Sequence, residues 1–188
     1  MNTDDIQKII PISPTEKLGF YIGKFNPIHI GHIQLLLDGL EYFDKIFLII
    51  TDNCITSTTE RYNIICNTIN TYSLKEIYPV LITGDLSLSG IIKEFIGAFN
   101  KPISWLIPEK TYLELPKHSD FNYLESFPKV LYSNNNYDDT SIITTIKPTR
   151  EFKVNSSDIR NMFKQGIDPR PLIGGLEYSF IKTYKIYT

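Results

Sequence analysis

The strongest constraint on this chain is an alternation: short apolar runs rich in β-branched and aromatic residues take turns with longer segments of helical period. Strands buried on both sides read as continuous apolar runs, so the pattern is that of a parallel sheet whose crossover helices cover both faces. The segment 45–51 (KIFLIIT) is the clearest such strand. The predicted class is α/β, an open parallel sheet with helices on both faces and a helical C-terminal tail.

Residues 18–23 read as the first strand, and 33–42 as the helix after it, with Ile33, Leu36, Leu37 and Leu40 recurring on one face. A helix over 60–71 follows a run of Ser and Thr able to cap it. Further strands are predicted over 77–83, 103–107, 130–133 and 142–146, and a helix over 89–99. The tail is predicted helical over 156–165 and 176–184, with Gly166 placed to end the first of these. Trp105, the only tryptophan, falls within an apolar strand and is assigned to the core.

With 188 residues, 42% of them hydrophobic, the chain is long enough for one buried core, so residues 1–188 are expected to form a single domain with 1–16 as an N-terminal extension. The formal net charge of -2 disfavours a nucleic-acid partner, which needs a positive surface. Cys54 and Cys66 form neither a disulfide framework nor a CxxC pair, which fits a reduced compartment. No apolar run approaches the ~20 residues of a spanning helix, and residues 1–14 are acidic before they are apolar, the reverse of a signal peptide. A soluble cytoplasmic protein with no membrane partner is the expectation.

Residues 23–32 (GKFNPIHIGH) join the first strand to the first helix, where an open α/β sheet usually binds ligand. Gly23 and Gly31 let backbone approach a bulky anion, and the amides at the helix start attract negative charge. Two of the three histidines, His29 and His32, stand three apart and so share a face. Their rings can donate to phosphate oxygens, and Lys24 adds a fixed cation. The plainer alternative is that both rings cap or pack the first helical turn. No protein metal site is predicted, because zinc takes at least three ligands and the third histidine, His118, is far along the chain.

A second feature lies at 154–160 (VNSSDIR), where hydroxyls open a helix and Arg160 can grip two phosphate oxygens. Taken alone it also reads as a plain helix cap.

The first segment resembles the GxFxPxHxGH signature of the nucleotidylyltransferase superfamily, whose members attach a nucleoside monophosphate from a triphosphate to a phosphorylated acceptor. Gly23, Phe25, Pro27, His29, Gly31 and His32 agree, and Asn26 stands where many relatives carry Asp. The second resembles the ISSTxIR motif, particularly of nicotinate and nicotinamide mononucleotide adenylyltransferases, with Asn155 in place of the first serine. The likeness continues through the tail, over residues 165–187. Glu60 and Arg61 sit where relatives often carry an ER pair, and Leu115-Pro116-Lys117-His118 looks like their LPxW segment with His118 replacing Trp. The Gly-Ala-Asp that usually precedes it is here Ile107-Pro108-Glu109.

This resemblance implies a Rossmann-like fold and adenylyl transfer from ATP to a pyridine mononucleotide, giving the dinucleotide and pyrophosphate. The catalytic set it implies is His29, His32, Lys24 and Arg160, and the phosphate-binding set Gly23, Phe25, Asn26, Gly31, Ser156 and Ser157. Asp85 and Ser87, within 84–90 (GDLSLSG), and His118 are implied on the acceptor side. Magnesium is expected to be carried mainly by the ATP phosphates. Two alternatives stay open: another phosphorylated acceptor such as pantetheine phosphate, which the tail disfavours, and a nucleotide-binding regulatory module without catalysis, suggested by Asn26, Asn155 and the missing Gly-Ala-Asp. Also open are the choice between nicotinate and nicotinamide, a homo-oligomeric state, and the role of the N-terminal extension.

Overall fold

Six strands and six helices account for most of the computed structural model, which describes residues 10–51, 56–82, 90–92, 95, 99, 103–114, 129–131 and 143–187. In chain order they are β1 (Leu18–Gly23), α1 (Ile30–Gly39), β2 (Lys45–Ile50), α2 (Thr58–Thr71), β3 (Ile77–Leu81), β4 (Ile103–Pro108), α3 (Glu109–Glu114), β5 (Lys129–Leu131), β6 (Ile143–Ile146), α4 (Ser156–Gln165), α5 (Arg170–Ile173) and α6 (Gly175–Thr183). Residues 90–92 and 95 are helical as well, within the helix expected at 89–99.

The strands form one sheet in the order β3-β2-β1-β4-β6-β5, with every described pairing parallel. The chain steps outward from β1 through β2 to β3, then returns to the other side of β1 with β4. That reversal leaves a crevice beyond the carboxyl ends of β1 and β4, the switch point where ligands bind in Rossmann-like sheets.

Alternation along the strands builds two cores. On β2, Ile46, Leu48 and Ile50 face one side with Ile33 and Leu36 of α1 and Ile64 and Ile65 of α2. Phe47 and Ile49 face the other, with Phe20, Ile92, Phe95 and Trp105. Trp105 is buried as expected, its ring stacked 6.5 Å from that of Phe20. Helix α1 lies close on the sheet because Gly39 has no side chain: a Cβ there would come within 2.7 Å of Leu106 and 2.9 Å of Ile46.

The described part of the N-terminal extension is folded onto the domain. Ile10 and Ile12 pack on the second core, and the Lys45 ammonium holds the Pro11 carbonyl at 2.5 Å and the Glu16 carboxylate at 2.6 Å. At the other end, α6 packs on α2, Ile181 of α6 is fully buried, and the Phe163 and Tyr178 rings stack at 5.7 Å. Gly166 ends α4 in the left-handed region (φ 72), with the Ile167 amide donating to the Met162 carbonyl, as the glycine-terminated reading requires.

Boundaries differ from the pattern-based expectation by up to three residues: helix α1 runs over 30–39 rather than 33–42, α2 begins at residue 58 rather than 60, and β3 ends at 81 rather than 83. The one- to two-turn helices α3 and α5 carry too few residues for a period to be read. Among the described residues, no helix is long and apolar enough to cross a membrane.

Candidate active site

Three helices of this fold start with the same reciprocal cap. In α2 the Ser57 hydroxyl accepts from the Glu60 amide while the Glu60 carboxylate accepts from the Ser57 amide; in α4 Asn155 and Asp158 do likewise. In α1 the pair is His29 and His32. The His29 Nδ1 accepts from the Gly31 amide at 3.2 Å, and the His32 Nδ1 accepts from the His29 amide at 3.2 Å. A neutral imidazole that accepts at Nδ1 carries its proton on Nε2, so each ring caps the helix and keeps one outward donor. The capping reading of the histidine pair is thus met, and the same geometry leaves Nε2 of each ring as a donor. The rings stack face to face, with centroids 3.7 Å apart and planes 28° from parallel.

The loop before them is held from several directions. Phe25 sits at φ 44, a region bulky residues avoid, and is fixed there by burial against the rings of Tyr21 and His32. Gly23 is required beneath it, since a Cβ would approach the Phe25 ring to 2.8 Å. The fully buried Arg61 donates to the carbonyls of Lys24 (2.6 Å) and Thr51 (2.7 Å), clamping the loop to the end of β2. This clamp follows from the fold; in the sequence, Arg61 stood out only through its resemblance to an ER pair.

The C-terminal motif meets the same loop. Ser156 donates from its hydroxyl to the Pro27 carbonyl at 2.8 Å, and Arg160 Nη1 donates to the Asn26 carbonyl at 2.5 Å. The Asn26 side-chain oxygen accepts the Tyr187 hydroxyl at 2.6 Å. The residue that replaces an Asp of the signature is thus an acceptor for the tail, a role its amide oxygen fills without a charge. The hydroxyl of Ser157 is turned to the side chain of Asn155, the cap of its own helix.

A cleft of about 980 Å³ opens beyond the carboxyl ends of β1, β4 and β6. Tyr21, His29, Gly31 and His32 form one wall; Pro108, Glu109 and Lys110 follow β4; Lys147, Arg150 and Lys153 follow β6; Asn155 and Asp158 bring in the start of α4. Of the residues singled out in the sequence, His29, Gly31 and His32 line the cleft. Phe25, Asn26, Ser156 and Arg160 build the loop and helix start that support it, and Lys24 is exposed on that loop. Asp85, Ser87 and His118 lie outside the described residues. The 147–153 segment, which brings Lys147, Arg150 and Lys153 together with Glu151 into the lining and adjoins the imidazole turn where Phe152 comes beside Gly31, carries no signal in the sequence beyond its charge.

Burial lowers the His29 pKa from 6.5 to about 4, and the nearby Asp158 charge offsets only part of this. Burial, then the adjoining His29 ring, holds His32 well below its usual value. Both rings are accordingly neutral donors at pH 7 in the free protein. Because His29 binds its proton more weakly when folded than unfolded, the unfolded state takes up more protons between pH 6.5 and 4, and stability falls as pH drops through that window. The loss from His29 alone amounts to about 3 kcal/mol at most. Urea unfolding at pH 7 and 4.5 should show a smaller drop in His29→Asn, whose amide oxygen preserves the cap as Asn155 does in α4; an unchanged drop contradicts the assignment.

A family model described as cytidylyltransferase-like matches residues 20–162, a span containing both motifs and the sheet that carries them. The chain belongs to this nucleotidyltransferase family. Among curated relatives, it is 29% identical over 141 residues to a phosphopantetheine adenylyltransferase of Mycoplasma capricolum, covering 72% of this chain and 97% of the relative. It is 26% identical over 198 residues to a Clostridium tetani protein named as a nicotinate-nucleotide adenylyltransferase, covering 92% of this chain and 99% of the relative. A crystal structure from Vibrio parahaemolyticus carrying that same name superposes with a TM-score of 0.71 at 14% identity, over 92% of this chain and 96% of that one, which is a likeness of fold.

Proposed function

We propose that this protein transfers the adenylyl group of ATP to nicotinate or nicotinamide mononucleotide. An acceptor phosphate oxygen attacks the α-phosphorus in line, a new P–O bond forms, and the bond to the bridging oxygen breaks to release pyrophosphate. The acceptor is already an anion at neutral pH, so no general base is needed. The demand on the protein is to hold two mutually repelling anions in line and to stabilise the charge spreading over the transferring group.

The observation that carries this reading is the pair of imidazoles that line the switch-point cleft while capping α1 through Nδ1, which leaves Nε2 of each to donate. In the proposal His29 and His32 bind the triphosphate near the reacting phosphorus. The start of α1 adds the partial positive charge of its helix dipole. Lys24 and the 147–153 segment add cations, and Ser156, Ser157 and Arg160 shape the pyrophosphate side from α4. Magnesium is proposed to enter on the nucleotide's own phosphates. Asp158, the carboxylate whose charge reaches His29, is committed to its helix cap, and the other carboxylates of the lining are Glu109 and Glu151.

The pyridine nucleotide is favoured over other acceptors by the relative that aligns along 92% of the chain. The higher identity to a phosphopantetheine enzyme over 72% of the chain supports the second reading, transfer to a phosphorylated pantetheine. Pyrophosphate release with ATP, magnesium and each acceptor in turn separates them. The expected result is a kcat/KM for nicotinate mononucleotide at least about tenfold above that for phosphopantetheine. The reverse order transfers the assignment to the second reading, and tight ATP binding with no pyrophosphate from any acceptor marks a regulatory module.

A further inference from the structure

Asp38 breaks two rules of helix chemistry at once. It is a carboxylate in the last turn of α1, where it opposes the helix dipole, and it is 5% exposed. Its oxygens are nonetheless satisfied: Oδ2 accepts from the Thr149 amide at 2.8 Å, and Oδ1 from the Thr149 hydroxyl at 2.7 Å and the Gln34 amide nitrogen at 2.9 Å. The two Thr149 bonds bridge 111 residues of sequence. They join the far end of the helix that begins with His29 to the segment between β6 and α4, which has no regular structure of its own. That segment puts Lys147, Arg150 and Lys153, with Glu151 among them, into the lining of the same cleft as the imidazoles, and its Phe152 adjoins Gly31.

We propose that Asp38, acting through Thr149, is a positioning residue that holds the 147–153 segment and its three cations in register with the imidazole pair, so that both meet one polyphosphate in the cleft. Neither Asp38 nor Thr149 lines the cleft. The effect is to preorganise: a loop already ordered in the free protein loses less entropy when an anion binds. The local electrostatic rule is broken at the place where a segment distant in sequence has to be fixed, as expected where function overrides local preference. The proposal rests on polyphosphate binding in the cleft but not on the identity of the acceptor.

Thr149 is exposed, so Thr149→Val, which removes only the hydroxyl donor, leaves the core untouched, and Thr149→Ser restores that donor. Binding of magnesium pyrophosphate is measured by calorimetry on the full chain, with hydrogen exchange of residues 147–153 followed in parallel. Expected are a Kd about tenfold weaker in Thr149→Val, recovery within about twofold in Thr149→Ser, and faster exchange confined to that segment at an unchanged Tm. Wild-type affinity or exchange in the valine variant, failure of the serine variant to recover, or no pyrophosphate binding by the wild type overturns the proposal. A wild type that binds pyrophosphate but serves no acceptor overturns the transfer reading instead and leaves this one standing.

Discussion

Replacing His32 by asparagine is expected to lower kcat by about a hundredfold or more with little change in Tm, because the substitution separates the two jobs of the ring. One job is structural: Nδ1 accepts the His29 amide. The protein itself shows that a short side chain suffices for it, since Asp158 occupies the same third position of α4 and accepts from the amide of Asn155. The other job, in the proposed mechanism, is donation from Nε2 to the charge that develops in transfer, which an asparagine side chain is too short to replace. The ring is neutral at pH 7 in the free protein, so what is lost is a fixed hydrogen-bond donor in a low-dielectric corner; an anion bound there raises the imidazole pKa and strengthens the same contact. Steady-state kinetics with saturating ATP and acceptor, beside a thermal melt, provide the check. Wild-type turnover in a folded variant removes His32 from the mechanism.

How much of this was legible beforehand depends on the sequence distance over which each feature is built. The strand at 18–23 and the helix at 156–165 appear with the boundaries their patterns predict, because apolar runs, a cap and a terminal glycine are local signals. The histidine spacing is local too, and so is the shared face it implies. The apolar period starts α1 three residues late because histidine is an uncommon capping residue; the signal for its true start is the reciprocal partner three positions on, as in Ser57 and Glu60. What could not be read are contacts closed by the fold. Arg61 reaches a loop 37 residues back, Asp38 a segment 111 residues on, and Tyr187 an asparagine 161 residues away. The serines and arginine of the C-terminal motif show the same limit. Their chemistry suggested direct phosphate ligands, whereas the structure has Ser156 and Arg160 bracing the carbonyls of the loop that presents the imidazoles.

Arg61→Leu is expected to destabilise the protein by about 3 kcal/mol or more, and Arg61→Lys by a smaller but measurable amount. Two effects compete. Removing a buried cation relieves its desolvation, and buried charges exchanged for well-fitting apolar groups are often nearly neutral. Here the acceptors stay behind: the carbonyls of Lys24, Thr51 and Thr56 all receive the guanidinium, at 2.6, 2.7 and 3.3 Å, at a position with no solvent exposure. Leucine neither donates to them nor fills the volume, so the orphaned-carbonyl and cavity costs outweigh the relief. Lysine keeps the charge but lacks the planar fork that spans two chain segments at once. The loss should also reach the site, because the Lys24 carbonyl belongs to the loop leading into Phe25 and His29, and a turn freed by even an ångström misaligns the donors. Urea unfolding gives the stability change, and kcat measured at a temperature where the variant is fully folded gives the second effect. A leucine variant within about 1 kcal/mol of the parent, with wild-type kcat, shows that the loop is held by Phe25 packing and the α4 contacts alone.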